Sequence, residues 1–320
     1  MKIVEYEEVD PLDVLQLNLL GLDFSLTPER VKIIRQHDPR VFPFFALYSV
    51  IDGAIAGQVG VFRLPMVSTE GPEDVGGVWA VCTHPSYARK GIASRLLQET
   101  HERMRDEGLR FSTLGTSTYR TAHLLYLKQK YLDVFFSTSM LLHRSDVLPS
   151  NKSLYVEQAT NEKLSLADDL FREVSSNHLG FARRHDPFMS AMVKIGEIAM
   201  GKIEENNIWF LWEENKLVGY LIASKIGSVL KIMDLLLTNG VNAALAIASL
   251  VKKLPASYIQ VKSTSPLITE SLAEVGARIV PQDWSTFMMK PLTHDVMDSD
   301  LKMLFGIGTD RFLFSWMDTT

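Results

Sequence analysis

The sequence predicts an α/β (α+β) protein of two similar domains, each with a mixed, mostly antiparallel sheet flanked by helices. The chain has 320 residues, about twice the ~150 residues of a common domain. Strand and helix patterns alternate, and a similar order restarts after residues 144–153, a polar stretch with a proline and no periodicity. We therefore expect a first domain at residues 1–145 and a second, degenerate copy with an apolar tail at residues 154–320.

The composition is that of a globular protein, since 46% of the residues are apolar and 22% are charged. The net charge of −5 leaves no broad basic surface for nucleic acid or an anionic membrane. Cys82 is the single cysteine, which is too few for a disulfide or a structural zinc site. No apolar run reaches the ~18 residues of a membrane span, and the acidic start is unlike a signal peptide. We expect a cytoplasmic protein without a metal, a nucleic-acid partner or a membrane partner.

Local signals predict the elements of the first half. Asp10-Pro11 opens the first predicted helix. Thr27 and Pro28 are also typical of a helix start, since Thr is a favoured N-cap and Pro fits the first helical position. Asp52-Gly53 between two apolar runs predicts a hairpin. The predicted order is strand 3–9, helix 13–20, a helix from residue 28, strands 44–51 and 55–64, polar loop 68–74, doubly buried strand 78–82, helix 92–104 ending at Gly108, strand 111–116, helix 121–129 and strand 134–142.

A similar order in the second half, with two short sequence echoes, predicts an internal duplication. Residues 36–39 before the first hairpin resemble residues 184–187 before the second, and residues 52–57 resemble residues 214–219. The predicted elements are strand 154–158, helix 164–174, hairpin strands 209–212 and 218–223, strand 229–236, helix 243–253, strand 258–261 and helix 268–274.

The clearest chemical signal lies at residues 83–94, where a strand leads through a basic loop into an amphipathic helix. The first turn of a helix has free N–H groups and a partial positive charge. Gly91 and Ala93 would let a phosphate approach the backbone, and Arg89 and Lys90 add positive charge. The pattern indicates an anion site, although an ordinary strand–loop–helix connection with solvated bases has the same pattern.

This stretch resembles the acetyl-CoA motif (Gln/Arg)-x-x-Gly-x-(Gly/Ala) of the GNAT superfamily of N-acetyltransferases, and the resemblance extends over residues 40–142. Gly91 and Ala93 match its small residues, whereas Ala88 departs from the Gln or Arg of the first position. The resemblance implies acetyl-CoA as cosubstrate, with pantetheine at the strand end and the pyrophosphate at the helix start. The implied pantetheine residues are Val81, Cys82 and Thr83, and the implied pyrophosphate residues are Arg89, Lys90, Gly91, Ile92, Ala93 and Ser94.

A second motif of the family, Asn-x-x-Ala-x-x-Leu-Tyr, resembles the segment around Tyr126. Ala122, Leu125 and Tyr126 match, whereas Tyr119 replaces the Asn. In the family a Gly-Phe pair follows eight and nine residues after the Ala, and here Lys130 and Tyr131 replace it. The resemblance implies that Tyr126 is the general acid, since a phenol with a pKa near ~10 can protonate the thiolate that an amine expels from a thioester. The alternative is a helix tyrosine with a packed ring and a surface hydroxyl.

Other candidate groups in the first half carry weaker signals. Cys82 and His84 lie on one strand face and would form a nucleophile pair, although a lone buried Cys more often serves packing. The base that deprotonates the acceptor amine has three candidates, Glu73, Asp74 and His123. Each has the alternative of an ordinary solvated charge.

The second half and the tail differ from the first half in their chemistry. Residues 237–244, at the place equivalent to the anion site, hold one Gly and no base, so we expect that cofactor binding has been lost there. The apolar tail 301–317 is expected to pack on a domain. It resembles the ends of GNAT proteins related to multi-domain aminoglycoside acetyltransferases, which implies Asp318 or the Thr320 carboxylate near the acceptor pocket. The alternative is that the tail only completes a sheet and lies away from the acceptor pocket.

The chain is thus expected to be an acetyl-CoA-dependent N-acyltransferase. It would move an acetyl group to a primary amine of a small molecule or peptide by direct attack in a ternary complex. The alternative is a CoA-binding sensor or scaffold without catalysis. The second domain could shape the acceptor site or form a homodimer.

Overall fold

A computed structural model describes residues 1–147, 152–198, 201–263, 265–280, 285–315 and 317–320. Residues 148–151 of the predicted linker and residue 316 of the predicted tail lie outside these ranges. The strands are β1 Lys2–Glu5, β2 Val41–Ile51, β3 Ala54–Ser68, β4 Gly71–Thr83, β5 Phe111–Ser117, β6 Leu132–Phe136, β7 Thr138–His143, β8 Tyr155–Gln158, β9 Leu179–Gly180, β10 Glu197–Ile198, β11 Gly201–Lys202, β12 Ile208–Glu213, β13 Lys216–Ile226, β14 Val229–Leu237, β15 Tyr258–Ser263, β16 Arg278–Val280, β17 Ser285–Pro291 and β18 Phe312–Leu313. The helices are α1 Pro11–Leu22, α2 Pro28–His37, α3 Ile92–Asp106, α4 Thr121–Lys128, α5 Arg144–Val147, α6 Ser165–Ser175, α7 Phe188–Ile195, α8 Ala243–Lys253, α9 Pro266–Glu274 and α10 Leu301–Leu304.

Two large mixed sheets confirm the predicted α/β fold class. The first has the order β1-β2-β3-β4-β5-β17-β6, with β9 beside β3 and β18 beside β9. The second has the order β16-β7-β15-β14-β13-β12-β8. Most neighbours are antiparallel, and each sheet contains one parallel pair of longer strands, β4 with β5 and β14 with β15.

Helices cover both faces of each sheet. In the first sheet, α1, α2 and the tail pack on one face, and α3 and α4 pack on the other. In the second sheet, α8 and α9 cover one face, and α6 and α7 cover the other. No helix in the described ranges is both long and apolar enough to cross a membrane.

The local signals of the sequence are confirmed where they depend on neighbouring residues. Asp10 caps α1 by accepting a hydrogen bond from the Leu12 N–H at 2.8 Å, and Thr27 caps α2 through the Arg30 N–H at 3.2 Å. The hairpin of β2 and β3 turns at Asp52-Gly53. The helix predicted at residues 243–253 is α8 with the same bounds.

Three predicted elements of the first half differ from the structure. The predicted strand 3–9 ends at Glu5, and a 3₁₀ turn at Tyr6–Glu8 follows it. The predicted loop 68–74 is instead a tight turn, because β3 continues to Ser68 and β4 begins at Gly71. The predicted strand 134–142 is interrupted at Ser137, whose N–H donates to the Ser285 carbonyl at 3.2 Å. The two strands on either side of Ser137, β6 and β7, enter different sheets.

The two halves of the chain exchange strands, so the sheets do not separate at residues 145 and 154 as the sequence predicts. β7 lies in the second sheet, where Met140 and Leu142 are buried in its core. In return, β17 lies between β5 and β6 in the first sheet, with Phe287 and Met288 fully buried. Alternation of apolar residues predicts that a segment is a strand but carries no information about its partner, which is why this exchange was not predicted.

Candidate functional site

A cleft opens in the first sheet where the parallel strands β4 and β5 separate. Gly76 pairs with Ser112 and Gly77 pairs with Thr113, and the pairing ends there. Beyond this point the edge of β4 that faces β5 has no strand partner among the described residues. On this edge the Val78 carbonyl accepts a hydrogen bond from the Thr320 hydroxyl. The backbone groups from Val81 to Thr83 remain available to a ligand with an extended polar chain.

The backbone of β4 is distorted beside this cleft. The register of β3 and β4 shifts between Gln58 and Gly60, so that Ala80 and Val81 both lie opposite Val59 in a β-bulge. Ala80 has a φ of +47°, which is unusual for a residue with a Cβ atom. Strained backbone of this kind concentrates at functional sites, and the sequence contains no signal for it.

The predicted anion site is the N-terminus of α3, next to the end of β4. Gly91 is the N-cap residue with a φ of +76°, and no side chain caps the helix. The space where a Cβ atom of Gly91 would lie is open. Arg89 also has a positive φ, +63°, so the loop turns sharply before the helix. An uncapped helix start in open space fits an anionic group.

Positive side chains flank this helix start. Arg89 and Lys90 are exposed, and neither pairs with a carboxylate among the described residues. The Lys90 ammonium lies 5.0 Å from the ring centre of Tyr87. Their charge is therefore not neutralised by the protein itself, and it remains available to a phosphate.

The residues predicted to bind a cofactor lie on β4 and at the start of α3. Val81 and Thr83 are half-buried on β4, and Cys82 is buried. The Ile92 side chain is buried in the core below α3, so only its backbone can face a ligand at the helix start. Ala93 and Ser94 are half-buried in the first turn of the helix.

Tyr126 lies on the buried face of α4. Its side chain packs in the same core as α3, and the residue is 6% exposed. Its hydroxyl makes no hydrogen bond with the part of the chain that the structure describes. Burial raises the pKa of Tyr126 above its ordinary value, with a smaller lowering by Arg120 and a further increase from Cys82. The phenol therefore stays protonated at neutral pH, as a general acid must.

Cys82 and His84 do not form a nucleophile pair. His84 Nδ1 accepts a hydrogen bond from the Ser86 N–H at 3.2 Å and caps a short 3₁₀ turn. Burial raises the pKa of the Cys82 thiol to about 12, so the reactive thiolate is scarce at neutral pH. This geometry favours the packing role of Cys82.

Each of the three candidate bases is held by an opposite charge or a hydrogen-bond network. Glu73 lies 3.4 Å from Arg110, although burial raises the pKa of its carboxyl. Asp74 forms an ion pair with Arg183. The His123 Nε2 atom lies 2.9 Å from a carboxylate oxygen of Asp133, which in turn accepts a hydrogen bond from Thr286 Oγ1 at 2.8 Å.

The tail of the chain connects the second sheet to the cleft. Asp318 forms a bidentate ion pair with Arg184 at 2.8 Å, and both side chains are almost fully buried. Thr320 reaches the first sheet, where its hydroxyl donates to the Val78 carbonyl at 2.8 Å. Asp318 thus has a structural partner, whereas Thr320 lies where β4 and β5 separate.

The helix of the second half that corresponds to α3 is α8, and its start is capped. Asn242 caps α8 by accepting a hydrogen bond from the Leu245 N–H at 2.9 Å. A side chain of the protein thus already occupies the place that a phosphate would need at this helix. Asp234, on β14, accepts a hydrogen bond from the Tyr220 hydroxyl at 3.2 Å, and Arg184 Nη1 donates to that hydroxyl at 3.1 Å.

Asp234 makes the stability of the protein depend on pH. Burial raises the pKa of its carboxyl from 3.8 to about 6, an increase that Arg184 partly offsets and Asp318 reinforces. The folded state therefore binds the proton more tightly than the unfolded state, so stability falls as the pH rises from about 4 to about 6 and stays lower above that range. The Asp234→Asn variant should lack this decrease, which amounts to at most about 3 kcal/mol. Urea unfolding of the wild type and the variant at pH 4.5 and pH 7.5 measures this decrease. A difference in unfolding free energy between the two proteins that is the same at both pH values would contradict the prediction.

A known protein family matches the part of the chain that forms this cleft. Residues 16–123 match the family model of the acetyltransferase (GNAT) domain. This range runs from α1 to α4 and includes the bulge, the cleft edge of β4 and the uncapped start of α3. No curated protein sequence matches the chain.

Solved structures share the fold over most of the chain. A conserved protein of unknown function from Enterococcus faecalis V583, described as a probable N-acyltransferase, has a TM-score of 0.70 at 16% identity, over 91% of this chain and 72% of that chain. A GCN5-related N-acetyltransferase from Kribbella flavida has a TM-score of 0.64 at 16% identity, over 91% and 70% of the two chains. A GCN5-related N-acetyltransferase from Anabaena variabilis ATCC 29413 has a TM-score of 0.68 at 14% identity, over 91% of this chain and 73% of that chain.

Proposed function

We propose that this chain, which carries an acetyltransferase (GNAT) domain at residues 16–123, is an acetyl-CoA-dependent N-acyltransferase. Its acceptor would be a primary amine of a small molecule or peptide. The observation that carries the proposal is the combination of an unpaired edge of β4 with an uncapped helix start beside it. An extended polar chain that ends in phosphates needs these two features together.

The residues present fit acetyl-CoA. The N–H groups of the first turn of α3, with Arg89 and Lys90, would hold the pyrophosphate. The edge of β4 from Val81 to Thr83 would hold pantetheine through backbone hydrogen bonds. Acetyl-CoA bound there would supply an acyl group activated as a thioester.

In this proposal Tyr126 is the proton donor of the reaction. Its buried hydroxyl keeps its proton at neutral pH and has no competing partner among the described residues. In this role it would protonate the thiolate that leaves when an amine attacks the thioester. The tail of the chain lies beside the same cleft, because the Thr320 hydroxyl donates to the Val78 carbonyl where β4 and β5 separate.

A CoA-binding protein without catalysis is the second candidate function. The observation in its favour is that Glu73 and Asp74 each pair with an arginine and His123 pairs with Asp133, so none of the three candidate bases is without a protein partner. Such a protein would bind acetyl-CoA through the same residues and release no product.

Binding and turnover measured on the same protein separate these functions. We expect calorimetry to show acetyl-CoA binding, and a thiol reagent to detect free CoA when primary amines of several classes are added. Cys82 adds little background, because it is buried and its pKa is raised. Binding without release of CoA would favour the second candidate, and absence of binding would contradict both.

The Arg89→Ala variant tests the site itself. We expect its affinity for acetyl-CoA to fall about tenfold, which corresponds to the loss of one charge-assisted hydrogen bond of about 1.5 kcal/mol. Arg105→Ala is the matched control, since Arg105 is an exposed arginine at the other end of α3. Equal affinities of the two variants would contradict the assigned position of the pyrophosphate.

A further inference from the structure

Two side-chain amides are fully buried beneath the bulge of β4. Asn18, on α1, and Gln58, on β3, are both 0% exposed. Asn18 Nδ2 donates to Gln58 Oε1 at 2.9 Å, and Gln58 Nε2 donates back to Asn18 Oδ1 at 3.4 Å. The two amides thus form a reciprocal pair that joins the helix to the strand.

Backbone carbonyls fix the orientation of this pair at both ends. Asn18 Nδ2 also donates to the Val14 carbonyl at 2.8 Å, and Gln58 Nε2 also donates to the Ala80 carbonyl at 3.3 Å. A carbonyl can only accept, so each amide must direct its NH₂ group toward its carbonyl and its oxygen toward the other amide. Every N–H donor of the pair has an acceptor, which is what makes a buried polar network stable.

The Gln58 amide is the side-chain support of a strained residue. Ala80 has a φ of +47°, a conformation that costs an L-residue about 1–2 kcal/mol. On its other edge β4 has no strand partner at this position among the described residues. The bulge therefore depends on β3 and on Gln58 for its shape, and Gln58 depends on Asn18 for its orientation.

Helix α1 lies unusually close to the same part of β4. A Cβ atom added to Gly21 would lie 2.9 Å from the Cys82 Cβ atom, so a larger residue would push the helix away from the strand. Asn18 is one turn before Gly21 on α1. The close approach and the amide pair together fix the distance between α1 and the cleft edge of β4.

We infer that Asn18 and Gln58 are positioning residues that hold the bulge at Ala80 and Val81, and with it the cleft edge of β4 along which the proposed function places acetyl-CoA. They act through Ala80 and do not touch the cofactor. The inference rests on the proposed function, and it adds that helix α1 and the cleft edge of β4 are fixed to each other through one buried pair of amides.

Amide hydrogen exchange of the free protein provides the first test. The variants are Gln58→Met and Asn18→Leu, which keep the approximate shape of each side chain and remove its hydrogen bonds. We expect faster exchange in residues 78–83 of either variant than in the wild type, with no change in the C-terminal part of α3. Thr100→Val is the matched control, because Thr100 is also fully buried but bonds only within α3, to the Leu96 carbonyl.

Infrared spectroscopy of bound acetyl-CoA, labelled with ¹³C at the thioester carbonyl, provides the second test. In the wild type we expect the carbonyl band to lie at lower frequency than in solution. In the variants it should return toward the solution value, with kcat about tenfold lower, as small misplacements of reacting groups cost rate. The two substitutions should not add, since either one breaks the same pair.

The double variant Asn18→Leu/Gln58→Met keeps the test valid when a single variant does not fold, because no amide is then left buried without its partner. Folded variants with the wild-type exchange rates and carbonyl frequency would overturn the inference and leave the pair as structural only. Failure of the wild type to bind acetyl-CoA would instead overturn the proposed function, and the exchange measurement would still report on the bulge.

Discussion

Replacing Tyr126 with Phe should lower kcat by about 10²- to 10⁴-fold, the range expected for loss of a general acid. The affinity for acetyl-CoA and the stability of the fold should stay near those of the wild type. The hydroxyl makes no hydrogen bond with a described residue, and the ring remains to fill the core between α3 and α4. Steady-state kinetics with a saturating amine, together with calorimetric binding of acetyl-CoA, measures the two effects separately.

Tyr119→Phe is the control for this change. Tyr119 is 85% exposed in the loop before α4, so loss of its hydroxyl should alter neither kcat nor binding. Unchanged turnover in Tyr126→Phe would show that Tyr126 is a packed helix tyrosine and not the proton donor. A loss of affinity without a change in kcat would place the hydroxyl at the cofactor instead.

The Asp318→Leu variant should lose about 3 kcal/mol of unfolding free energy. It leaves the Arg184 guanidinium, whose side chain is 3% exposed, without its bidentate carboxylate. Breaking a buried ion pair from one side typically costs 3–5 kcal/mol. The lower end applies because Asp234 lies close to Arg184 beyond Tyr220 and offers a second carboxylate. Urea denaturation at pH 7.5 measures the loss.

The double variant Arg184→Met/Asp318→Leu should recover most of this stability. Both charges are then absent, and apolar side chains of similar size fill the same volume. Glu173→Gln, which removes an exposed carboxylate near Lys216, is the control and should leave stability unchanged, since exposed ion pairs contribute little. A double variant as unstable as Asp318→Leu would show that shape, not charge, holds the tail.

Much of the fold could be predicted because its signals are local. The caps at Asp10 and Thr27, the Asp52-Gly53 turn and the apolar spacing of α3 each involve residues within a few positions of one another. The place of the uncapped helix start at Gly91 could be predicted for the same reason. The roles of Tyr126 and of the cofactor residues stay predictions that rest on a family resemblance and await the experiments above.

Other parts of the site could not be predicted, because nothing in the local pattern encodes them. Ala80 is an ordinary strand residue in the sequence, and its positive φ arises from the mismatch between β3 and β4. Apolar patterns predict strands in both domains, yet β7 of the first predicted domain lies in the second sheet and β17 of the second predicted domain lies in the first sheet. Asn18 and Gln58 are polar residues in apolar segments, and only the fold shows that each is the partner of the other.

The sequence by itself determined where most helices, strands and turns of the first half lie, and that a basic loop precedes the N-terminus of a helix. These features depend on capping, turn geometry and periodicity over a few residues. The tertiary structure decided which strands pair, where β4 and β5 separate, and which side chains meet across long separations. Arg184 and Asp318 are 134 positions apart, and Thr320 contacts Val78 across 242 positions. Such contacts form because the packed core brings these residues together, and no short segment of the chain specifies them.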